Sequence, residues 1–269
     1  MATAAAAPRD TAIRGNTRFF TVMAFVMSFI IVAGFVVNLA FARSSFDVPW
    51  PYHVHGIIFM SWLGIYCGQH VTASMGNWSL HAKFGKIAYL WVPLMVIFGT
   101  TIMIVVARRT GGPFFFHVSE FLWSNTMLVW LFGGLTFWAL SRRRYTGWHR
   151  RLMLCGMAIL TGPGLGRLLP LPLMIPNAWL ITTLATMIFP VIGMVVDKRK
   201  QGRVHPAYWW GLGLYIAVFA ISVLIAFRQL TTSQHFGITH TSRPRLVVFL
   251  MLATPDIKLP VHSLTRRQS

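Results

Sequence analysis

The sequence predicts an all-α protein, a polytopic transmembrane helix bundle of about seven spans whose N-terminus is cytoplasmic. The chain has 269 residues, of which 55% are hydrophobic and only 11% are charged, and its apolar residues fall into seven stretches divided by short basic connectors. Each stretch is close to the ~20 residues that cross a hydrocarbon core about 30 Å thick. In lipid, such a stretch satisfies its backbone polar groups only as a helix.

The spans follow one another closely, at residues 19–41, 54–72, 84–107, 114–140, 152–169, 178–196 and 207–227. The first is longer than the roughly 7–15 apolar residues of a signal peptide, so we expect an uncleaved helix. The fifth contains Gly162-Pro163-Gly164-Leu165-Gly166, which predicts a kink or break. The predicted division is a cytoplasmic segment, 1–18, a transmembrane domain, 19–227, and a basic, disordered tail, 228–269.

The charge balance supports the membrane assignment and the orientation. The net charge is +19, from 24 Lys and Arg against 5 Asp and Glu. In a soluble protein this balance would indicate nucleic acid, but here the basic residues lie in the connectors, where they meet anionic lipid. We therefore expect membrane lipids, and no nucleic acid, as partners. A cytoplasmic N-terminus puts most of these residues inside, as the positive-inside rule requires, and we expect a bacterial inner (plasma) membrane location.

The second span carries two histidines on one face. His55, Phe59, Trp62, Tyr66 and His70 lie within about 80° of one another on a helix, and His55 and His70 are separated by about 22 Å of rise. This pattern resembles that of diheme b-type cytochromes built on four-helix bundles, and the resemblance implies haem b as a candidate cofactor.

Haem ligation needs a second histidine on a facing helix. His117, at the start of the fourth span, is the candidate partner of His55 or His53, whereas His70 has no histidine opposite it on that span. The predicted cofactor-binding residues are therefore His55, His117 and His70. The alternative is that His55 and His117 are interfacial side chains bonded to water, headgroups or backbone.

Glu120 and Arg167 form a second candidate site. Glu120 is the only glutamate and the only carboxylate expected inside a span, and Arg167 is expected at a similar depth. An ion pair between them, near His55 and His117, could bind a metal, a quinone headgroup or a proton. A structural ion pair that locks two helices together is the alternative.

Two connectors share a motif, residues 80–85 (LHAKFG) and 148–153 (WHRRLM). At an offset of 68 residues His81 aligns with His149 and Lys83 with Arg151, which indicates a weak internal repeat of spans two and three in spans four and five. In physical terms His81, Lys83, His149 and Arg151 are predicted to anchor the helices at the lipid interface.

The connector motifs resemble those of an uncharacterised bacterial multi-pass membrane protein family. In that family, a His-basic-basic-Leu-Gly motif opens one helix and a His-basic-basic-Leu-Met motif opens a later one. The second copy here matches, and the first departs from the pattern at Ala82. The resemblance covers roughly spans two to five and implies fold and location, with no activity and no catalytic residues.

The sequence leaves the function open among three classes. The first is a redox-associated membrane protein that binds haem or quinone at the outer ends of helices 2 and 4. The second is a secondary transporter or channel that uses Glu120 and Arg167, and the third is a non-catalytic scaffold or assembly factor. Catalytic residues are unknown, no metal-ligand set is predicted, and Cys67 and Cys155 both fall inside spans. A homo-oligomer or a partner membrane subunit remains open.

Overall fold

The computed structural model describes the backbone of residues 8–235 and the side chains of residues 17–228, and every regular element in these ranges is a helix. The all-α prediction is therefore confirmed. This part of the chain contains nine α-helices and one 3-10 helix: α1 (Pro8–Ala40), α2 (Trp50–Ser74), α3 (Trp78–Gly85), α4 (Ala88–Arg109), α5 (Val118–Ser141), α6 (Thr146–Leu160), α7 (Gly162–Leu168), the 3-10 helix (Leu171–Met174), α8 (Ala178–Gln201) and α9 (Pro206–His235).

Four helical segments among the described residues are long and apolar enough to cross a membrane: Thr17–Ala40 in α1, Trp78–Arg109 in α3 and α4, Ala178–Gln201 in α8 and Pro206–Arg228 in α9. The chain is therefore compatible with a membrane protein. α2 and α5 have 25 and 24 residues, so each is about 36 Å long. They are not among the four apolar segments because histidine, tryptophan and other polar side chains lower their mean hydropathy.

The fifth predicted span is two helices, and the break predicted from its proline and glycines is confirmed. α6 ends at Leu160 and α7 begins at Gly162, with Thr161 between them. Pro163 lies in the first turn of α7, where its missing N–H removes no helical hydrogen bond.

α6 is an enclosed helix. Every residue from Arg151 to Leu160 except Met153 is buried. The helix packs against α1, α5, α8 and α9, while α2 packs against α1 and α4. The Arg151 side chain in α6 is therefore surrounded by protein.

The backbones of α1 and α7 touch at two glycines. A Cβ on Gly164 would lie 2.7 Å from the Ile31 Cα, and a Cβ on Gly34 would overlap the Gly164 carbonyl oxygen. No larger side chain fits between these backbones without moving one of them. At this position, the glycine-rich run serves close helix packing.

The ends of the predicted transmembrane domain lie inside helices. α1 begins at Pro8 and continues through residue 18, so residues 8–18 of the predicted N-terminal segment belong to that helix. α9 continues past residue 228 and is described as far as His235. The rest of the predicted tail, residues 236–269, lies outside the described residues, as do residues 1–7.

Candidate functional site

Three histidines come together where α2 ends and α6 begins. We call His70, His81 and His149 the histidine cluster. The ring centroids of His81 and His149 are 6.5 Å apart and the two ring planes are nearly perpendicular, at 88°. His70 interacts electrostatically with both. The fourth predicted span has no histidine that could pair with His70, whereas His81 and His149 come from the two connectors.

His81 and His149 are held in the same way, each by the helix that precedes it. His149 Nδ1 lies 2.8 Å from the carbonyl oxygen of Ala139 in α5, and His81 Nδ1 lies 3.1 Å from the carbonyl oxygen of Gln69 in α2. Because a carbonyl oxygen only accepts, His149 Nδ1 is the donor in its bond. The two histidines aligned by the offset of 68 residues therefore make the same kind of contact, although their acceptor carbonyls, at Gln69 and Ala139, are not equivalent under that offset.

The Gln69 side chain also fixes the ring of His81. When its amide oxygen accepts from the Gly85 N–H at 2.9 Å, its amide nitrogen lies 2.8 Å from His81 Nδ1. The Gln69 backbone carbonyl, which accepts, and the Gln69 side-chain amide, which donates, are therefore alternative hydrogen-bond partners of His81 Nδ1. The tautomer of His81 depends on which of the two it binds.

The other ring nitrogens of the cluster are unengaged. Among the described residues, His81 Nε2, His149 Nε2 and both nitrogens of His70 make no hydrogen bond. The cluster has aromatic neighbours, since the Trp78 ring lies 6.0 Å from His81 and the Tyr66 ring lies 4.8 Å from His70. No group of three His, Cys, Asp or Glu side chains in the described part of the chain is arranged to hold a metal ion.

A buried ion pair, which sequence reasoning missed, lies near the histidine cluster. Arg151 Nε donates to Asp197 Oδ2 at 2.7 Å and Arg151 Nη2 donates to Asp197 Oδ1 at 2.6 Å. The two side chains are only 1% and 2% exposed. Arg151 Nη1 also donates to the Gly147 carbonyl at 3.0 Å, and the His205 N–H donates to Asp197 at 3.2 Å. The network ties α6 to α8 and to the start of α9.

This network corrects two predictions. Arg151 does not lie at the lipid interface, because its guanidinium is enclosed and already paired. Of the four residues assigned to that interface, only Lys83 is exposed, whereas His81 and His149 are partly buried and bonded to backbone. Glu120, the carboxylate expected inside a span, is only partly buried, whereas Asp197 is enclosed. Asp197 lies one residue beyond the sixth predicted span, among basic neighbours, and was therefore missed.

His205 borders the ion pair in the connector between α8 and α9. Burial and, to a lesser degree, the Arg151 charge lower its pKa, so its ring is neutral at pH 7. Accordingly, His205 Nδ1 accepts from the Ala207 N–H at 3.1 Å.

At the opposite end of the bundle, Arg167 has no acidic partner. The predicted Glu120–Arg167 ion pair is absent from the part of the chain that the structure describes. Arg167 Nη1 instead donates to the Pro163 carbonyl at 2.8 Å, and the guanidinium carbon lies 4.0 Å from the centre of the Phe35 ring. Arg167 Nε is buried with no hydrogen-bond partner. An orphaned buried donor costs about 1–3 kcal/mol, and more when it is charged.

His55 lies in α2. Its Nδ1 is buried, and the Phe98 backbone in α4 is a hydrogen-bonding neighbour of its ring. The His55 ring lies 4.1 Å from the Phe59 ring. His117 is exposed at the first turn of α5, and α5 packs against α4, α6 and α9. Among the described residues, the structure does not form the predicted His55–His117 pair.

Comparison with known proteins finds no matching family model, no similar curated protein and no similar solved structure.

Proposed function

We propose that this protein is an inner-membrane redox protein in which His81 and His149 hold one haem b. The spacing of the two rings carries the proposal. With metal–nitrogen bonds of about 2.0 Å, two imidazoles that held one metal ion would have ring centroids up to about 6 Å apart. The His81 and His149 centroids are 6.5 Å apart, and histidine is a common axial ligand of haem iron.

The surroundings of the two rings also support ligation. A histidine that binds metal almost always donates its other ring N–H to a carbonyl, a carboxylate or water, which fixes the tautomer and the ring orientation. His149 Nδ1 makes that bond to the Ala139 carbonyl. Ligation through His81 Nε2 uses the tautomer in which Nδ1 donates to the Gln69 carbonyl. Both Nε2 atoms then present lone pairs.

Haem bound there would supply one-electron transfer near one membrane surface. The chain itself orients the two imidazoles through α2 and α5, and it contributes aromatic surfaces. Trp78 lies beside His81, and the Trp148 ring next to His149 in sequence packs 5.7 Å from the Trp138 ring. Such rings exclude water from a flat apolar cofactor.

An absorption spectrum of protein purified in detergent and supplied with haem tests the proposal. We expect a Soret band that shifts on reduction with dithionite and that is lost in both His81→Ala and His149→Ala. His117→Ala is the matched control, because His117 is exposed and distant from the cluster in the fold. A colourless wild-type protein of full helical content would contradict the proposal, as would a band that survives both cluster variants.

The proposed topology is seven crossings with a cytoplasmic N-terminus. In addition to the four apolar segments, α2, α5 and the pair α6 and α7 supply helical lengths that can cross. A test is labelling of Arg43→Cys and Arg203→Cys by an impermeant maleimide in intact bacterial cells. We expect immediate labelling at position 43, and labelling at position 203 only after permeabilisation. The reverse pattern would refute the orientation.

The break between α6 and α7 favours a transporter or channel as a second candidate function. Interrupted helices in transporters line substrate sites near the bilayer midplane, and Arg167 follows the break in this chain. Solute or proton flux into vesicles that Glu120→Gln or Arg167→Gln abolishes would support it. A protein that shows neither chromophore nor flux would instead fit a scaffold or assembly factor.

A further inference from the structure

An arginine in the first turns of α6 has no protein partner for its charge. Arg150 is partly buried, and its Nε is enclosed without a hydrogen-bond partner among the described residues. The enclosed carboxylate of Asp197 is bound through both oxygens by Arg151, and Arg150 forms no ion pair in the described part of the chain. Because buried donors in proteins are almost always bonded, an acceptor from outside the chain would complete this site.

Arg150 lies beside the point where the uncharged part of α1 begins. Its guanidinium carbon is 4.9 Å from the centre of the Phe20 ring, and α1 packs against α6. Arg18 is the last charged residue of α1, and residues 19–40 of that helix carry no charge. In a membrane, lipid headgroups lie at the end of such an uncharged helical segment. The contact with Phe20 therefore places Arg150 at headgroup depth.

The ends of two other apolar helices meet at the same level. Arg151, next to Arg150 in the chain, donates to Asp197 near the end of α8 at 2.7 Å. The His205 N–H, just before α9, donates to the same carboxylate at 3.2 Å. The last turn of α8 also carries basic side chains, which are exposed, at residues 198–200. This end of the bundle is therefore positively charged, and basic pockets between membrane helices are typical sites for anionic lipid headgroups.

We propose that Arg150 binds the phosphate group of an anionic phospholipid at the edge between α1 and α6. A phosphate can accept from Nε and from one Nη of a guanidinium at once, which would satisfy the buried Nε. The helix α1 also exposes apolar side chains that acyl chains would cover, among them Val22, Phe25 and Phe29. A free phosphate ion would gain nothing from that apolar surface, so the structure favours a lipid as the source of the phosphate. The inference needs a membrane location and does not depend on haem.

The test is native mass spectrometry of the full chain, purified in a non-ionic detergent and titrated with phosphatidylglycerol. We expect one lipid per chain to bind saturably, and more tightly than phosphatidylcholine, whose choline cation would face a basic surface. Arg150→Gln should weaken the binding of phosphatidylglycerol at least about tenfold, because it removes charge-assisted donors. Arg144→Gln is the matched control, because Arg144 is an exposed arginine in the connector before α6. It should change the affinity much less.

A conservative variant separates the planar fork from the charge. Arg150→Lys keeps the charge and loses the fork, so its affinity should fall between those of the wild type and Arg150→Gln. Far-UV circular dichroism must show full helical content for each variant. If Arg150→Gln does not fold, Arg150→Lys decides, and a wild-type affinity in that variant would overturn the inference. Equal affinity in Arg150→Gln and the wild type would overturn it, as would an equal loss in Arg144→Gln, which would indicate a diffuse effect of charge.

A second titration, with inorganic phosphate, distinguishes the two sources of the phosphate group. We expect inorganic phosphate neither to bind saturably nor to displace phosphatidylglycerol, because it has no acyl chains. Binding of inorganic phosphate that depends on Arg150, without binding of phosphatidylglycerol, would overturn the assignment to a lipid. The lipid site and the haem site fail separately, since the mass spectrum reports on Arg150 and the absorption spectrum on His81 and His149.

Discussion

Removing the carboxylate of Asp197 should destabilise the protein more than any exposed charge change. Asp197→Asn deletes a bidentate pair with bonds of 2.6 and 2.7 Å, between side chains only 1% and 2% exposed. It leaves the Arg151 charge enclosed with only the Gly147 carbonyl and the new amide oxygen to face. Breaking one side of a buried pair typically costs 3–5 kcal/mol, so we expect a loss of about 3 kcal/mol or more in the free energy of unfolding.

Unfolding by SDS in mixed micelles, followed by far-UV circular dichroism, measures this loss. Asp47→Asn is the matched control, because Asp47 is exposed, and it should change the free energy of unfolding by at most about 0.5 kcal/mol. The double variant Arg151→Met with Asp197→Leu should recover most of the loss, since it removes both charges. A loss below about 1 kcal/mol in Asp197→Asn would refute the view that this pair holds α6 to α8.

Two further perturbations test packing and protonation. Gly164→Ala places a Cβ 2.7 Å from the Ile31 Cα and should lower the free energy of unfolding by about 1–3 kcal/mol in the same assay. Gly213→Ala is the control, because its Cβ meets open space and should not destabilise the protein. Equal effects of the two substitutions would contradict the α1–α7 contact. His205 has a lowered pKa, so the unfolded chain binds its proton more readily, and its contribution to stability is lost as the pH falls below about 6.5. Between about pH 7.5 and 5.5, the free energy of unfolding should therefore fall less for His205→Gln than for the wild type. An identical pH dependence in the two proteins would contradict a lowered pKa of His205 in the folded state.

The helices were predictable from the sequence because hydropathy and local chemistry determine them. The apolar stretches predict the long helices, although α1 begins well before its stretch and α9 continues past its own. Gly162 and Pro163 predict the break between α6 and α7. These are properties of single segments. In lipid, a single apolar segment of about 20 residues satisfies its backbone polar groups as a helix.

The sites were harder to predict because they depend on which helices are neighbours. The offset of 68 residues marked His81 and His149 as equivalent, but equivalence does not reveal that the two rings face each other 6.5 Å apart. In the sequence, Arg151 and Asp197 each look like surface charges, because basic residues stand beside both of them. The long-range packing of α6 against α8 encloses them. Likewise, Glu120 and Arg167 were paired by expected depth alone, which says nothing about lateral position.

The most direct measurement for the proposed function is the absorption spectrum of the purified, haem-supplied protein, air-oxidised and then reduced with dithionite. The proposal predicts a Soret band that moves on reduction in the wild type and in His117→Ala, and that is absent from His81→Ala and His149→Ala. The proposal would be contradicted if the folded wild-type protein showed no Soret band, or if the band were unchanged in both His81→Ala and His149→Ala.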